Sequence, residues 1–339
     1  MTTHRAHRWE SRVNAAVGRG LARRGWRPEV VPITGYGADG ADGWVRVLAR
    51  VLLTPPGKPR DVAADGRGWR RFLTHSAAGV PVTVGLGRST HTVASDLDGY
   101  VDLRLPADLA PGWATASFAV GDREPVEAAV RVVGPDTRLG LVSDIDDTVI
   151  VTMLPRPLLA FRNAFLVREH ERRAVPGMAT LYREVVETHP DVFVVYLSTG
   201  AWNTAGPLVG FLARHGYPPG PLLLTDWGPT VDGWFRSGQE HKRRQLARLF
   251  DELPQLTWLL VGDDGQHDPS LYAEAAQAHP GRVRAVAIRQ LSAAEQVAGH
   301  GTPTARDEAA PDGAGGPLSV AGPDGAALAQ ELRRAGLLP

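Results

Sequence analysis

The sequence contains no cysteine and only two lysines. Without cysteine the chain cannot form a disulfide scaffold, a thiolate metal site or a thiol nucleophile. The two lysines, Lys58 and Lys242, leave 35 of the 37 basic residues as arginine. Because this chain uses arginine wherever a plain positive charge is enough, we expect a lysine beside other polar residues to have a specific chemical role.

The chain also lacks a net charge and long apolar runs. Its 37 basic residues balance 37 acidic residues, so no overall field attracts nucleic acid or anionic lipid. No stretch approaches the roughly 18 uninterrupted apolar residues of a membrane span, and the N-terminus lacks the apolar region of a signal peptide. We therefore expect a soluble, cytoplasmic protein without a transmembrane segment or a nucleic-acid partner. The oligomeric state stays open.

The first of four predicted regions, residues 1–28, reads as a basic amphipathic helix. Apolar residues recur every four positions among arginines, which is typical of a helix with one apolar face. Such a helix could cover the apolar face of the next domain or lie on an anionic membrane surface. The apolar positions are Trp9, Val13, Val17 and Leu21.

Residues 29–134 are predicted to form a β-sandwich domain. Short β-rich runs are separated by turn sequences such as Asp98-Gly99, and apolar and polar positions alternate within runs such as residues 44–53. Seven or eight strands at this spacing favour two packed sheets. No group of residues in this region suggests catalysis.

Residues 135–295 are predicted to form an α/β domain. Apolar runs alternate with helical patterns, which indicates a parallel sheet with helices on both faces. The remaining residues, 296–339, are predicted to be a low-complexity tail, in which the Gly/Pro/Ala-rich stretch Gly299–Asp324 is disordered and a short helix follows near residues 326–337. The principal runs of the α/β domain are residues 139–143, 192–197, 222–224, 256–261 and 283–288, with helices near 180–187, 240–250 and 269–278.

Three carboxylates follow the first apolar run of the α/β domain. Asp144, Asp146 and Asp147 fall within four residues, and ligands bind at the carboxyl ends of the strands in open parallel sheets. Crowded carboxylates are costly unless a cation neutralises them, and oxygen ligands suit Mg²⁺. The alternative is a turn with a helix cap, since Asp and Thr148 are both common there.

Two further clusters could bind a phosphate. Ser198 and Thr199 end an apolar run, and hydroxyls with successive backbone N–H groups can cradle an anion, although the pair could also be an ordinary helix cap. Lys242 is predicted in the first turn of the helix near residues 240–250. Its ammonium group is compact enough to reach a phosphate and a nucleophilic carboxylate together.

A fourth cluster follows the run that ends at Val261. Asp263 and a second acid, Asp264 or Asp268, could complete the ligand shell of Mg²⁺. Asp268 could instead be the N-cap of a helix that begins at Pro269, because proline is common in the first turn.

The order of these four clusters resembles the haloacid-dehalogenase-like (HAD) phosphohydrolase superfamily. More narrowly, the sequence is similar to the actin-patch-type phosphatidate phosphatases over about residues 141–290, and Gly35-Tyr36-Gly37 is similar to their N-terminal part. Asp264 departs from the pattern, in which a serine is expected. The matching stretches are Asp144–Thr148, Arg162–Phe165, Val175–Met178, Trp202-Asn203, Asp226-Trp227, His241-Lys242 and Gly262–Pro269.

The resemblance implies a Mg²⁺-dependent phosphatase of lipid metabolism that acts through an aspartyl phosphate. Asp144 would be the nucleophile and Asp146 the general acid and base. Thr148, Ser198, Thr199 and Lys242 would bind the phosphate. The metal ligands would be Asp144, Asp146 through its backbone carbonyl, Asp263, and either Asp264 or Asp268.

The resemblance implies phosphatidate as the substrate, at a membrane surface to which the protein binds peripherally. The predicted insertion at residues 155–173 is too short for a large cap domain, which suits a bulky substrate. Two alternatives stay open. The same chemistry could act on a soluble phosphomonoester or phosphoprotein, or the chain could be a binding protein whose phosphatase fold is inactive.

Overall fold

The structure is a computed structural model that describes residues 18, 20, 21, 23–56, 75–151, 172–225, 234–265, 267–300 and 316–339. The chain divides into two compact units, Met1–Pro135 and Asp136–Pro339. Most of the predicted N-terminal basic helix and of the insertion predicted at residues 155–173 lie outside the described residues.

The first unit, in its described part, contains eight strands that pair into one sheet. The strands are β1 (Arg27–Ala38), β2 (Trp44–Thr54), β3 (His75–Ser76), β4 (Pro81–Leu86), β5 (Ser89–Ala94), β6 (Tyr100–Pro106), β7 (Gly112–Ala119) and β8 (Val126–Val133). Their order is β3-β2-β1-β8-β7-β4-β5, and β6 also pairs with β2. β1 and β8 run parallel, whereas the other pairs are antiparallel.

Alternation of apolar and polar residues explains this sheet. In β4, Val82, Val84 and Leu86 are buried and the intervening Pro81 and Thr83 are exposed, as a strand with one covered face requires. The eight strands agree with the seven or eight expected. All eight belong to a single hydrogen-bonded sheet, however, and the predicted β-sandwich is not confirmed. Alternation reveals which face of a strand is buried but not which strands pair.

The second unit is built on a parallel sheet of six strands in its described part. These are β9 (Leu139–Asp144), β10 (Phe193–Ala201), β11 (Leu222–Thr225), β12 (Thr257–Asp263), β13 (Val283–Arg289) and β14 (Leu318–Gly322), in the order β11-β10-β9-β12-β13-β14. The helices are α1 (Met178–Thr188), a short 3-10 helix (Trp202–Thr204), α2 (Ala205–Arg214), α3 (Trp234–Glu252), α4 (Asp268–Ala278), α5 (Ala293–His300) and α6 (Gly325–Arg334).

Apolar residues cover both faces of this sheet. Leu141 and Val261 lie in a core that also contains Leu181 of α1 and Leu328 of α6. On the other face, Trp258 of β12 packs against an aromatic ring of α3. Every residue of β9 is buried, as expected for a strand that helices cover on both sides. The predicted α/β domain with a parallel sheet is therefore confirmed.

A glycine in β9 makes room for the largest side chain of this core. Gly140 lies beside both Phe193 and Trp258 in the strand register. A Cβ atom on Gly140 would lie 2.3 Å from the nearest atom of the Trp258 ring. The indole also contacts the rings of Phe193 and Phe250, with centroids 6.2 and 5.6 Å away. It is therefore confined on several sides at once.

The prediction of a disordered tail through Asp324 is wrong for residues 318–322. They form β14, which pairs with β13 from Ala285 opposite Leu318 to Arg289 opposite Gly322. A five-residue strand beside glycine and proline carries little local β signal, and pairing with β13 determines its structure. The helix predicted near residues 326–337 is present as α6, so the α/β unit continues past the predicted boundary at residue 295.

No helix in the described ranges is both long enough and apolar enough to cross a bilayer.

Replacing Gly140 with alanine should destabilise the second unit by about 1–3 kcal/mol, because the added methyl group collides with the Trp258 ring in a close-packed core. Urea unfolding followed by circular dichroism would measure this loss. In a Trp258→Leu background, the same substitution should cost distinctly less. Equal costs in the two backgrounds would show that the ring does not determine the need for glycine.

Candidate active site

Polar side chains gather where neighbouring strands of the second sheet end. Asp144 ends β9 and Asp263 ends β12, while Ser198 lies near the end of β10. The strand β9 pairs with β10 on one side and with β12 on the other. The chain thus leaves β9 in one direction and later returns to its opposite side, and ligands bind at such a switch point in open α/β sheets.

Lys242 lies at the centre of this group. Its Nζ is 2.6 Å from Oδ1 of Asp144 and 2.6 Å from Oδ1 of Asp268. All three residues are buried, with 4% or less of their surface exposed. The prediction that Lys242 occupies the first turn of its helix is wrong, because α3 already begins at Trp234.

Three buried carboxylates lie together beside this lysine. One ligand oxygen from each of Asp144, Asp263 and Asp268 lies within 4.8 Å of the other two. Their Oδ2 atoms are buried and have no hydrogen-bond partner among the described residues. Buried carboxylate oxygens without donors are costly, and a hard cation with oxygen ligands would satisfy them. The donor set therefore fits a divalent metal ion.

The electrostatics of the cluster agree with this interpretation. Burial raises the pKa of Asp144 well above its usual value, Lys242 opposes this rise, and Asp268 and Asp146 add to it. Burial and the neighbouring carboxylates also raise the pKa of Asp263. Burial alone would lower the pKa of Lys242, but Asp144 and Asp268 outweigh it and raise the pKa. One ammonium group faces three carboxylates, so a further cation would stabilise their ionised forms.

The second carboxylate of the first loop is held from β10. Ser198 Oγ donates to Oδ2 of Asp146 at 3.2 Å and accepts from the backbone N–H of Gly200 at 2.9 Å. Thr225 Oγ1 donates to the carbonyl oxygen of Thr199 at 3.1 Å and thereby braces the same loop. Thr148 is fully buried, and its hydroxyl has no hydrogen-bond partner in the described part of the chain.

The two acids that follow Asp263 have different surroundings. Asp264 Oδ1 accepts from the backbone N–H of Leu291 at 2.8 Å, and Asp264 is not in the carboxylate cluster. Asp268 is in the cluster and is the first residue of α4, with His267 as the N-cap. Between the two alternatives for the metal ligand, the geometry favours Asp268. The alternative prediction of Asp268 as the N-cap is wrong by one residue.

Sequence reasoning missed several residues that support this site. Tyr182 of α1 donates to Ser143 Oγ at 2.6 Å, and Ser143 Oγ donates to the carbonyl oxygen of Asp144. Arg289, at the end of β13, donates to the carbonyl oxygen of Asp147. The position of Arg289 at the carboxyl end of a predicted strand was the one sequence signal for it. Tyr182 carried none, because its position within a helix pattern indicates only burial.

Comparison with known proteins bears on the segment that contains this site. Residues 139–290 match the sequence model of the family described as phosphatidate phosphatase APP1, catalytic domain. The family resemblance predicted from the sequence is confirmed. Two stretches that contributed to it, Arg162–Phe165 and Asp226-Trp227, lie outside the described residues.

Two curated fungal proteins are similar to the same part of the chain. Phosphatidate phosphatase APP1 of Saccharomyces cerevisiae is 29% identical over 156 residues, which cover 45% of this chain and 26% of that protein. An uncharacterized protein of Schizosaccharomyces pombe is 24% identical over 154 residues, which cover 45% of this chain and 25% of that protein. The chain thus spans about a quarter of the length of the curated relatives it matches.

Among solved structures, the HAD domain of the effector protein Lem4 from Legionella pneumophila is 16% identical, with a TM-score of 0.31. The alignment covers 46% of this chain and 88% of that domain.

Acid should destabilise the second unit through His241, which is buried next to Lys242. Burial lowers the pKa of His241 from 6.5 to about 4, although a backbone hydrogen bond with Leu223 opposes the shift. Between these values the unfolded chain binds a proton that the folded chain does not. Stability is therefore lost as the pH falls below about 6.5, by up to about 3 kcal/mol near pH 4.

Chemical unfolding between pH 4 and 8, compared with His241→Gln, would isolate this contribution. The difference in unfolding free energy between the two proteins should change with pH in this window and level off above it. A constant difference would contradict the assignment of a neutral imidazole.

Proposed function

We propose that the second unit is a Mg²⁺-dependent phosphatase that hydrolyses a phosphomonoester through an aspartyl phosphate. The observation that carries the proposal is the buried contact of Lys242 with Asp144 and Asp268, within a segment that matches a phosphatase catalytic-domain family. A structural ion pair alone would not need three carboxylates around one ammonium group, because the surplus negative charge is costly to bury.

In the first step, a carboxylate oxygen of Asp144 attacks the phosphorus atom in line with the ester oxygen. A phosphorus–oxygen bond forms to Asp144 as the bond to the leaving alcohol breaks. Asp146 donates a proton to the departing oxygen. In the second step, water attacks the phosphorus of the aspartyl phosphate while Asp146 accepts its proton, which releases phosphate and restores both carboxyl groups.

The neighbours of these two carboxylates support their division of roles. Asp144, the last residue of β9, is buried, and the ammonium group of Lys242 holds its carboxylate in place. Asp146 is only partly buried, and its carboxylate accepts a hydrogen bond from the hydroxyl group of Ser198. A group that exchanges protons with an alcohol and then with water needs this access. Ser198, Thr148, Thr199 and Lys242 are the proposed donors to the phosphoryl oxygens.

The proposed metal ligands are Asp144, Asp263 and Asp268, together with the backbone carbonyl of Asp146. Bound Mg²⁺ would supply positive charge that reduces the repulsion between the carboxylates and the phosphoryl group. The unpartnered Oδ2 atoms of the three acids support this assignment. Asp264 is left out because its carboxylate already accepts from the backbone after β13.

For the substrate we propose phosphatidate, with diacylglycerol and phosphate as products. The match to the family described as the catalytic domain of a phosphatidate phosphatase supports this choice. On this proposal the protein meets its substrate at a membrane surface, as a peripherally bound protein.

Asp144→Asn should abolish phosphate release, because an amide cannot form the aspartyl phosphate. Removal of a nucleophile of this kind costs about four orders of magnitude or more in kcat. Asp251→Asn, an exposed acid on α3, is the matched control and should keep full activity. Turnover by the folded Asp144→Asn protein would refute the mechanism.

The substrate itself calls for a panel of esters with Mg²⁺ or with EDTA. Phosphatidate in liposomes should be hydrolysed faster than a phosphopeptide or a soluble aryl phosphate, and only with Mg²⁺. Preference for the soluble esters would favour the alternative phosphatase activity. Absence of all hydrolysis would favour a binding protein.

Removal of one metal ligand should weaken Mg²⁺ binding independently of catalysis. Asp263→Asn should lower the Mg²⁺ affinity measured by titration calorimetry at least about tenfold, because the amide removes a charge from the donor set. Asp264→Asn is the control, since its amide oxygen can still accept from Leu291. If Asp264→Asn lowered the Mg²⁺ affinity as much as Asp263→Asn does, Asp264 would be a metal ligand. That result would contradict the choice of Asp268 over Asp264.

A further inference from the structure

We propose that Arg289 is a positioning residue that directs the Asp146 carboxyl group toward the leaving oxygen by holding the backbone of the next residue, Asp147. This inference rests on the proposed phosphatase function and adds to it a residue that binds neither phosphate nor metal.

Arg289 is the last residue of β13 and lies opposite Asp263 in the strand register. Only 4% of its surface is exposed. A buried guanidinium group is retained only where protein acceptors compensate for the lost water. Because Arg289 ends β13, its guanidinium N–H groups lie at the same edge of the sheet as the carboxylate cluster.

Three nitrogens of Arg289 each donate to a different part of the chain. Nη1 donates to the carbonyl oxygen of Asp147 at 2.7 Å, and Nη2 contacts Glu295 Oε1 at 2.5 Å. Nε donates to the carbonyl oxygen of Pro323 at 3.3 Å. The guanidinium is therefore committed to protein acceptors, which makes it a brace for the loop and not a donor to substrate.

The residue that Arg289 holds has an unusual backbone. Asp147 has a φ of 57°, and it is the one non-glycine residue with a positive φ in the described part of the chain. A left-handed backbone is unfavourable for a residue with a Cβ and persists where its surroundings impose it. Here the N–H of Asp147 donates to the carbonyl oxygen of Ile150 at 2.8 Å, and Arg289 donates to its C=O.

This backbone restraint reaches the proposed acid and base. The N–H of Asp147 belongs to the peptide group that follows Asp146 and donates to Ile150, whereas Arg289 holds the next peptide group through the C=O of Asp147. The two contacts together fix the backbone of Asp147 and thereby the orientation of the peptide group that follows Asp146. The carboxylate of Asp146 is then held at its far end by Ser198. Release of the Asp147 carbonyl would loosen the backbone next to Asp146, so that its carboxyl group would be directed less firmly toward the leaving oxygen.

The other partners of Arg289 come from outside the segment that matches the phosphatase family. Glu295 lies in α5, and Pro323 directly follows β14, whereas the matched segment ends at residue 290. The N–H of Gln290 also donates to the carbonyl oxygen of Gly322 at 2.8 Å. Residues after the matched segment thus hold the side chain of Arg289 in place, and Arg289 in turn holds the backbone of Asp147.

Arg289→Lys tests the inference, because one ammonium group cannot span the three acceptors. The experiment measures kcat/KM for p-nitrophenyl phosphate, whose leaving group needs little protonation, and for phosphatidate in liposomes, an alkyl phosphate whose leaving group needs a proton. We expect kcat/KM for the alkyl ester to fall at least about tenfold more than that for the aryl ester, with KM nearly unchanged for both.

Arg282→Lys is the matched control at the opposite end of β13. Arg282 also braces backbone carbonyls, since it donates to the oxygens of Leu256 and Leu253 at 2.8 and 2.9 Å. Its loss should lower the melting temperature and, through the folded fraction, reduce turnover of both esters equally. Glu295→Gln serves as a milder second variant, because it keeps the shape of the acid and removes the negative charge that faces Arg289. It also weakens the contacts that Glu295 Oε2 accepts from Ser292 at the start of α5.

The ratio of the two activities distinguishes the outcomes. A selective loss for the alkyl ester in Arg289→Lys, with a smaller loss of the same kind in Glu295→Gln, supports the inference. If kcat/KM fell equally for both esters in these two variants, as expected for Arg282→Lys, Arg289 would have only a structural role. That result would overturn the inference. Wild-type protein that hydrolyses neither ester would instead overturn the proposed function, and the role of Arg289 with it.

Discussion

The organisation of the second unit depends on a single ammonium group buried among carboxylates. Lys242 joins Asp144 at the end of β9 to Asp268 at the start of α4, while Lys242 itself belongs to α3. Three elements that are distant in sequence therefore meet at one point. Loss of one partner from a buried ion pair typically costs about 3–5 kcal/mol, because the other charge is left uncompensated. Removal of one of these partners should therefore destabilise the edge of the sheet at which they meet.

Much of this unit could be predicted because its strands and helices have strong local patterns. Apolar runs such as residues 139–143 and 256–261 became β9 and β12, and the helix expected near residues 269–278 became α4. The site followed from topology, since polar residues after parallel strands must meet at one edge. The rarity of lysine added an independent indication for Lys242. None of these inferences required knowledge of long-range contacts.

Other features depend on contacts that a sequence pattern does not encode. β14 has a weak local signal, and it is defined by pairing with β13. In the first unit, alternation predicted strands without revealing that all eight described strands pair into one sheet. The sequence offered Asp264 and Asp268 as equally good candidates for the metal ligand. Only their surroundings distinguish them, because Asp264 accepts from a backbone N–H whereas Asp268 contacts Lys242.

The placement of β14 and α6 has a consequence for how the boundaries of the second unit are defined. The match to the family model ends at residue 290, yet the edge of the sheet and part of its apolar covering are supplied by residues after 316. A fragment trimmed to the similar region would expose the open edge of β13 and apolar side chains that α6 normally shields, both of which promote aggregation. The segment that matches the family is therefore shorter than the compact unit that contains it, Asp136–Pro339.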